Sequence, residues 1–219
     1  MQTFADMKAE LSSRLMVADN STLFTTTRIA DLIDDAYEWA AALYNWPQLE
    51  EPEMTDTVAS QDYYDYPETF RTDSVSRLYV DGTRYYRKAF DDYLDYKENN
   101  PDDVSTPIFA DYGRQLFIFP TPTTSGTNNL VVYGCTNAID EPEEDETFTI
   151  FSEHDNSGNE AIVKKALSVA ISKTDKNRSV QEETEASILL AKIWSKMMAR
   201  QQRAQRIDHP MLDVPDFIN

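Results

Sequence analysis

The chain has 219 residues, 41% of them hydrophobic, which is enough for the core of one larger domain or of two small ones. Its 39 acidic and 20 basic residues give a net charge of −19, which argues against a protein that wraps DNA through its phosphates. The single cysteine, Cys135, cannot form an intramolecular disulfide, so the fold does not depend on an oxidising compartment. We find neither a run of about 18 apolar residues nor a signal peptide, which predicts a soluble, unprocessed protein.

Two helices are predicted at the N-terminus. Apolar residues from Phe4 to Leu15 recur at spacings of three and four, which predicts a helix over about residues 3–17. The second helix begins after the threonines at 25–27, which can cap it, and ends near Trp46 because a proline follows. Its apolar stripe is continuous, and four acids lie mostly outside that stripe, namely Asp31, Asp34, Asp35 and Glu38.

A β-rich region of about five strands follows an acidic connection at residues 48–62. The segment Tyr63–Tyr66 is predicted to be a short edge strand, because Pro67 ends it. Residues 75–87 form a predicted hairpin around Asp81-Gly82, a pair that readily supplies the positive φ angles of a type I′ turn. A short helix at 90–96 and a strand at 108–112 come next.

The stretch RQLFIFPTPTTSGTNNLVVYG, residues 114–134, predicts the central hairpin of this sheet. Its prolines cannot donate to a sheet, so they end the first strand and begin a polar loop that runs through Gly126. This loop is a candidate contact surface for a neighbouring protein, with Pro120, Pro122, Ser125, Gly126 and Asn128 as the candidate residues.

Helical periodicity returns after a second acidic loop at 137–149 and predicts a helix over about 158–174. Ser179 and Glu182 form a predicted capping box for a long helix that reaches about residue 206. The predicted fold class is α+β: a helical bundle of the N- and C-terminal helices, an inserted antiparallel β-sheet and an extended C-terminal tail. The predicted divisions are N-terminal helices at 1–55, the β-rich domain at 56–150, C-terminal helices at 151–206 and the tail at 207–219.

The last helix and the tail carry the clearest candidate contacts. Residues 1–175 have a net charge of −20, residues 176–206 of +4, and residues 207–219 of −3. The positive charge forms a basic stripe along one side of the helix, at Lys192, Lys196, Arg200, Arg203 and Arg206. This stripe either faces solvent and favours the helix C-terminal dipole, or it meets an acidic neighbouring subunit or a nucleic acid strand. The tail presents five apolar side chains, Met211, Leu212, Val214, Phe217 and Ile218.

Residue types needed for catalysis are poorly represented. The two histidines, His154 and His209, have no partners at metal-ligand spacing, and glycine motifs that cradle phosphates are missing. We therefore expect no catalytic residues, no metal and no cofactor. The twelve tyrosines are able to stack on bases or sugars, but tyrosine is also a common strand residue.

Several motifs together resemble the head-to-tail adaptor (connector) proteins of tailed bacteriophages. The resemblance lies in RIADLIDDAY at 28–37, WPQLE at 46–50, Tyr66-Pro67, LFIFPTP at 116–122 and LVVY at 130–133. It extends through the helix at 158–174 and so covers most of the chain.

The resemblance implies a structural, non-enzymatic virion protein in the neck between capsid and tail, assembled in the host cytoplasm. Such proteins form a ring, commonly of twelve subunits, that binds the portal protein on one face and a tail or nozzle protein on the other. DNA passes through the channel without specific binding, and no membrane is involved. The tail at 207–219 becomes the portal-docking element by its position.

The sequence leaves two alternatives open. One is another neck or tail-completion protein, a stopper or terminator, which would have more β structure and fewer flanking helices. The other is a carbohydrate-binding or hydrolytic module that uses the tyrosine-rich sheet with acids such as Asp91, Asp92 and Asp95.

Overall fold

The computed structural model describes residues 2–16, 23–136, 148–152 and 157–207, with side chains up to residue 199. Backbone contacts group these residues into two compact units, one helical and one that contains the sheet. In chain order the elements are α1 (Phe4–Arg14), α2 (Thr26–Ala42), a 3₁₀ turn (Pro47–Leu49), β1 (Glu50–Thr57), β2 (Tyr63–Asp65), β3 (Arg77–Val80), β4 (Thr83–Arg87), α3 (Phe90–Asn99), β5 (Ile108–Tyr112), β6 (Gln115–Phe119), β7 (Gly126–Cys135), α4 (Ser157–Ile171) and α5 (Lys176–Ile207).

The helical unit consists of α1, α2, α4 and α5. Helix α4 packs against each of the other three, whereas α2 and α5 make few contacts with each other. The predicted apolar stripe is buried from Ile29 to Ala40, whereas Leu43, which follows α2, is exposed. Tyr37 of α2 also packs edge-on against Phe4 of α1. The predicted α+β class is confirmed, and both N-terminal helices lie where the sequence predicts them, although each ends earlier than expected.

Asn159 of α4 joins the start of the chain to the rest of the helical unit by hydrogen bonds. This fully buried side chain accepts a hydrogen bond from the Thr149 hydroxyl over 2.5 Å and donates to the carbonyl oxygen of Gln2 over 3.2 Å. It also donates to the Ser152 hydroxyl over 3.1 Å. Because every polar atom of the amide is satisfied, the buried network stabilises the junction of α1, the 148–152 segment and α4.

The capping box predicted at Ser179 and Glu182 is wrong. Helix α5 begins at Lys176, and the carboxylate of Asp175 caps it by accepting a hydrogen bond from the Arg178 amide over 3.1 Å. Ser179 instead lies inside the helix, where its hydroxyl donates to the Ser168 carbonyl over 2.9 Å. Glu182 pairs with Lys164 of α4. The two residues therefore join α5 to α4.

The second unit is a curled, mixed sheet of seven strands in the order β1-β7-β3-β4-β5-β6-β2. Three predicted features are confirmed: the edge position of β2, the β3–β4 hairpin and the short helix α3. Asp81 and Gly82 in the hairpin turn have φ angles of 49° and 75°, as a type I′ turn requires. The estimate of about five strands was too low.

The predicted central hairpin between β6 and β7 is wrong. Strand β6 pairs with β5 on one side and with β2 on the other, so neither edge is left for β7. Strand β7 lies between β1 and β3 at the other end of the sheet. The true hairpin partner of β6 is β5, joined through Gly113 and Arg114, which both have positive φ.

The prediction of an antiparallel sheet is also wrong, because β4 and β5 pair in parallel. Parallel neighbours need a crossover connection, and α3 provides it by running back across the sheet between them. Tyr93 of α3 is buried against Ile108, Ala110 and Phe119 in a small apolar cluster. The larger cluster lies on the other face and includes Leu78, Phe109, Leu116, Ile118, Leu130 and Val132.

Residues 50–57, predicted as part of a connection, form strand β1. This strand pairs with β7 along its length, from Glu50 opposite Cys135 to Thr57 opposite Gly126. Most of its side chains are exposed, so the sequence EEPEMTDT has no apolar alternation to reveal a strand. Its four acids and Pro52 are typical of an edge strand that resists pairing with other chains.

Candidate interaction surfaces

One end of the sheet is built from three connections, two of which are hydrogen-bonded directly to each other while the third is joined to them through Asn129. We call this surface the loop end; it comprises residues 58–62, Asp81-Gly82 and residues 120–125. The amide of Ser60 donates to the Pro122 carbonyl over 2.9 Å, and the amide of Ala59 donates to the Ser125 hydroxyl over 3.0 Å. The loop end is therefore a connected surface rather than a set of independent loops.

Asn129 of β7 lies behind the loop end and joins its parts. Its side-chain oxygen accepts hydrogen bonds from the amide and the hydroxyl of Thr57, over 3.1 and 2.9 Å. Its side-chain nitrogen donates to the carboxylate of Asp81 over 2.7 Å. A Cβ added at Gly126 would stand 2.3 Å from this nitrogen, so a larger residue there would displace the Asn129 side chain.

Tyr85 supports the loop end from within the sheet. Its hydroxyl donates to the Pro120 carbonyl over 3.0 Å. Burial, with smaller contributions from Asp81 and Tyr64, raises the pKa of Tyr85 above its ordinary value. The phenol therefore remains a neutral donor at physiological pH.

The structure brings all five predicted loop residues to this end of the sheet. Ser125 and Asn128 are exposed and Pro122 is buried, while Pro120, which follows a cis peptide bond, and Gly126 are half-buried. Gly126 and Asn128 belong to the start of β7 rather than to the loop, because β7 begins four residues earlier than its apolar pattern indicates. An irregularity in the β1–β7 register accommodates these extra residues.

A cleft of about 350 Å³ opens between strands β1 and β2, the two edges of the curled sheet. Leu130, Val132, Tyr64 and Tyr66 provide its apolar lining. Four carboxylates also line it, those of Glu53, Asp56, Asp65 and Glu68. This concentration of negative charge would repel a nucleic acid phosphate.

The basic stripe begins on the exposed surface of α5. Lys192 and Lys196 are both exposed, four residues apart on the helix. Arg200, Arg203 and Arg206 continue the sequence pattern along α5, where side chains lie outside the described residues. Trp194 lies between the two lysines in sequence but on another side of the helix. It stacks on Tyr44 with ring centroids 5.1 Å apart, which fixes the rotation of α5 about its axis at this point.

A family model described as SU10 adaptor protein matches residues 2–211 of the chain. The chain belongs to the SU10 adaptor protein family. This membership confirms the resemblance to phage head-to-tail adaptors and indicates a structural adaptor role in a phage. No curated protein matches the chain.

In this SU10 adaptor family member, the acids of the hydrolytic alternative do not form a site. Asp91, Asp92 and Asp95 lie on the exposed surface of α3, and the described clefts of the sheet unit have other linings. Tyr64, Tyr66, Tyr85 and Tyr93 are buried in the sheet unit, whereas Tyr63, Tyr86 and Tyr112 are exposed. Among the described residues, no group of three His, Cys, Asp or Glu is placed to hold a metal ion.

The predicted portal-docking tail, with Met211, Leu212, Val214, Phe217 and Ile218, lies outside the described residues, as do His154, His209 and the acidic run at 141–146. No helix within the described ranges combines the length and apolar character needed to cross a membrane.

The acids of α2 can be recognised in the sequence, but the sequence alone assigns them no role. Asp31, Asp35 and Glu38 are exposed, at spacings of four and three residues, on the side of α2 opposite its buried stripe. Their shared helical spacing was the signal that could have identified this acidic surface.

Proposed function

We propose that this protein is the head-to-tail adaptor of a tailed phage, forming a ring, of about twelve subunits as the family resemblance implies, between the portal protein and the tail. The observation that carries the proposal is the family match over residues 2–211, which includes both units of the fold. Family membership implies a place in the virion neck. The proposed role is structural and involves no catalysis or cofactor.

The charge of the chain supports a DNA channel through the proposed ring. The net charge of −19 and the acidic cleft between β1 and β2 give the protein surfaces that repel phosphate. A duplex passing such surfaces would not be held by them and would slide through the ring. Binding to DNA would accordingly be weak at physiological ionic strength.

We assign portal docking to the tail at 207–219. Its two prolines and the lack of helical periodicity favour an extended segment, and its apolar side chains would gain stability by occupying a groove on a partner. Its five apolar residues are the proposed anchors, and the acids at 208, 213 and 216 keep the free segment hydrated.

We assign the tail or nozzle protein to the loop end. Its connections are held together by side-chain and backbone hydrogen bonds, and exposed polar side chains lie at Ser125 of the loop end and at Asn128 at the adjoining start of β7. A surface that is already rigid loses little conformational entropy when a partner binds.

Cosedimentation with portal-bearing capsids, followed by electron microscopy, tests the proposal. The wild-type protein should decorate the portal vertex as a ring. Deletion of residues 207–219 should abolish decoration and leave the melting temperature unchanged.

A pair of variants in the C-terminal tail at 207–219 distinguishes docking through apolar anchors from docking through charge. Serine at all five anchors should prevent decoration, whereas asparagine at the three tail aspartates should preserve it. Unchanged decoration after the deletion would refute tail docking, and failure of the wild-type protein to bind at any salt concentration would refute the adaptor role.

A further inference from the structure

Helix α2 presents a narrow acidic surface to solvent. Asp31, Asp35 and Glu38 lie within about 60° of one another around the helix axis, directly opposite the buried stripe that includes Ile29 and Ala36. Within the described residues, no basic side chain forms an ion pair with these three carboxylates. We call this surface the acidic face of α2.

The basic stripe of α5 is a surface of opposite charge in the same helical unit. Lys192 and Lys196 are exposed and four residues apart, the same spacing as Asp31 and Asp35. Four residues correspond to a rise of about 6 Å on either helix, so two ion pairs can form in register when the helices lie side by side.

The packing of the helices separates these two surfaces. Helix α4 packs against both α2 and α5, while α2 and α5 have few contacts with each other. The acidic face points away from the buried side of α2, and the basic stripe lies outside the α4-facing side of α5, where Ala186, Leu190 and Ile193 are buried. A single copy therefore carries the two surfaces on different flanks of α4.

We propose that the acidic face of α2 in one copy binds the basic stripe of α5 in a second copy. Complementary charges on different flanks of one unit give a head-to-tail contact, in which each copy uses one surface toward each neighbour. Such a contact repeats around an axis and closes into a ring when the rotation allows. The inference rests on the proposed ring and identifies which surfaces hold it together.

Cysteine cross-linking tests the contact directly. Asp35→Cys protein and Lys196→Cys protein are mixed in equal amounts at low salt and oxidised, both in concentrated solution and on capsids that lack the adaptor. The native Cys135 is buried, and oxidised wild-type protein measures any background from it. Disulfide-linked pairs should exceed those from either variant alone by about tenfold or more, because the native contact raises the effective concentration of the two thiols.

A mixture of Glu98→Cys and Lys196→Cys is the matched control, since Glu98 is also an exposed acid, on α3. Its yield should not exceed background. No excess of the 35–196 pair in solution or on capsids would overturn the contact. If Lys196→Cys protein alone formed as many disulfide-linked pairs as its mixture with Asp35→Cys protein, the head-to-tail arrangement would be overturned.

Charge reversal gives a second, independent measurement. Asp31→Lys/Asp35→Lys should weaken association between copies by about tenfold or more, and adding Lys192→Glu/Lys196→Glu to the same chain should restore it. The control Asp95→Lys/Glu98→Lys changes the net charge equally on α3 and should leave association unchanged. Failure of the swapped chain to recover would overturn the proposed pairing.

The two proposals fail separately. Portal decoration without the 35–196 cross-link would retain the adaptor role and reject this contact. A specific cross-link without portal decoration would retain the contact and reject the portal assignment.

Discussion

The hydroxyl of Tyr93 donates a hydrogen bond to the carbonyl oxygen of Ile118 over 3.1 Å and so joins α3 to β6. Tyr93 is 1% exposed, so water cannot replace the lost donor in a Tyr93→Phe variant. We expect this variant to lose about 1–2 kcal/mol of the free energy of unfolding at neutral pH. Urea unfolding followed by circular dichroism measures the change, and Tyr86→Phe on the exposed surface should change it by less than about 0.5 kcal/mol.

The same residue gives a prediction for alkaline pH. Burial, with a smaller contribution from the charge of Asp62, raises the pKa of Tyr93 to about 12. Between an ordinary tyrosine pKa of about 10 and this value, the unfolded chain loses the proton that the folded chain retains. The free energy of unfolding therefore falls as pH rises through this range.

The Tyr93→Phe variant has no ionisable group at position 93, so its free energy of unfolding does not fall for this reason. The stability difference between wild type and variant should therefore shrink from about pH 10 to about pH 12. A difference that stays constant over this range would contradict the raised pKa.

Gly134 of β7 permits the close approach of Phe70. A Cβ at position 134 would stand 2.5 Å from Cδ2 of Phe70, whose ring is buried in the sheet core. Gly134→Ala should therefore lower the free energy of unfolding by about 1–3 kcal/mol, since neither the strand nor the ring can move freely.

A double-mutant cycle tests the cause. In a Phe70→Leu background the smaller side chain leaves room for the added methyl group. Gly134→Ala should then lower the free energy of unfolding by at least about 1 kcal/mol less than it does in the wild-type background. Equal costs in both backgrounds would show that the clash with Phe70 is not the reason. Thermal unfolding of the four proteins gives the comparison.

Much of the fold follows from local sequence signals, whereas the wrong predictions of strand pairing concern strands that are distant in sequence. The β3–β4 hairpin was predicted correctly because its turn residues, Asp81 and Gly82, lie between two short strands. The pairing of β7 with β1 could not be predicted in the same way, because β1 lies about 80 residues earlier in the chain and has no apolar alternation. Pairing between distant strands is decided by the whole sheet rather than by either sequence.

The candidate surfaces were predictable to the extent that they depend on helical spacing. Lys192 and Lys196 were identified from their helical spacing, and both are exposed. The loop end was identified only in part, because its connection to residues 58–62 and to Asp81 depends on hydrogen bonds between segments far apart in sequence. A role for the acidic face of α2 could not be predicted from the sequence, because it depends on α4 packing between α2 and α5.

Asn159 should be the most sensitive polar residue of the helical unit. Asn159→Ala removes hydrogen bonds to Gln2, Thr149 and Ser152 and leaves their buried groups without this partner, so we expect a loss of about 2–4 kcal/mol. Hydrogen exchange should show earlier opening at the start of α1. Ser12→Ala, which removes only a bond to its own helix, should cost less than about 0.5 kcal/mol, and similar losses for both variants would refute the network's role.

Asn129→Ala should loosen the loop end and leave the rest of the sheet in place. The variant loses the hydrogen bonds to Thr57 and Asp81, so the amides of residues 57–60 and 81–82 should exchange at least about tenfold faster. Binding of the distal tail protein should weaken with it, because the surface must then be ordered on binding. Asn128→Gly is the control, since glycine tolerates the φ of 53° at this position, and it should leave exchange at Asp81 unchanged. Unaltered exchange at Asp81 in Asn129→Ala would show that this side chain does not hold the connections together.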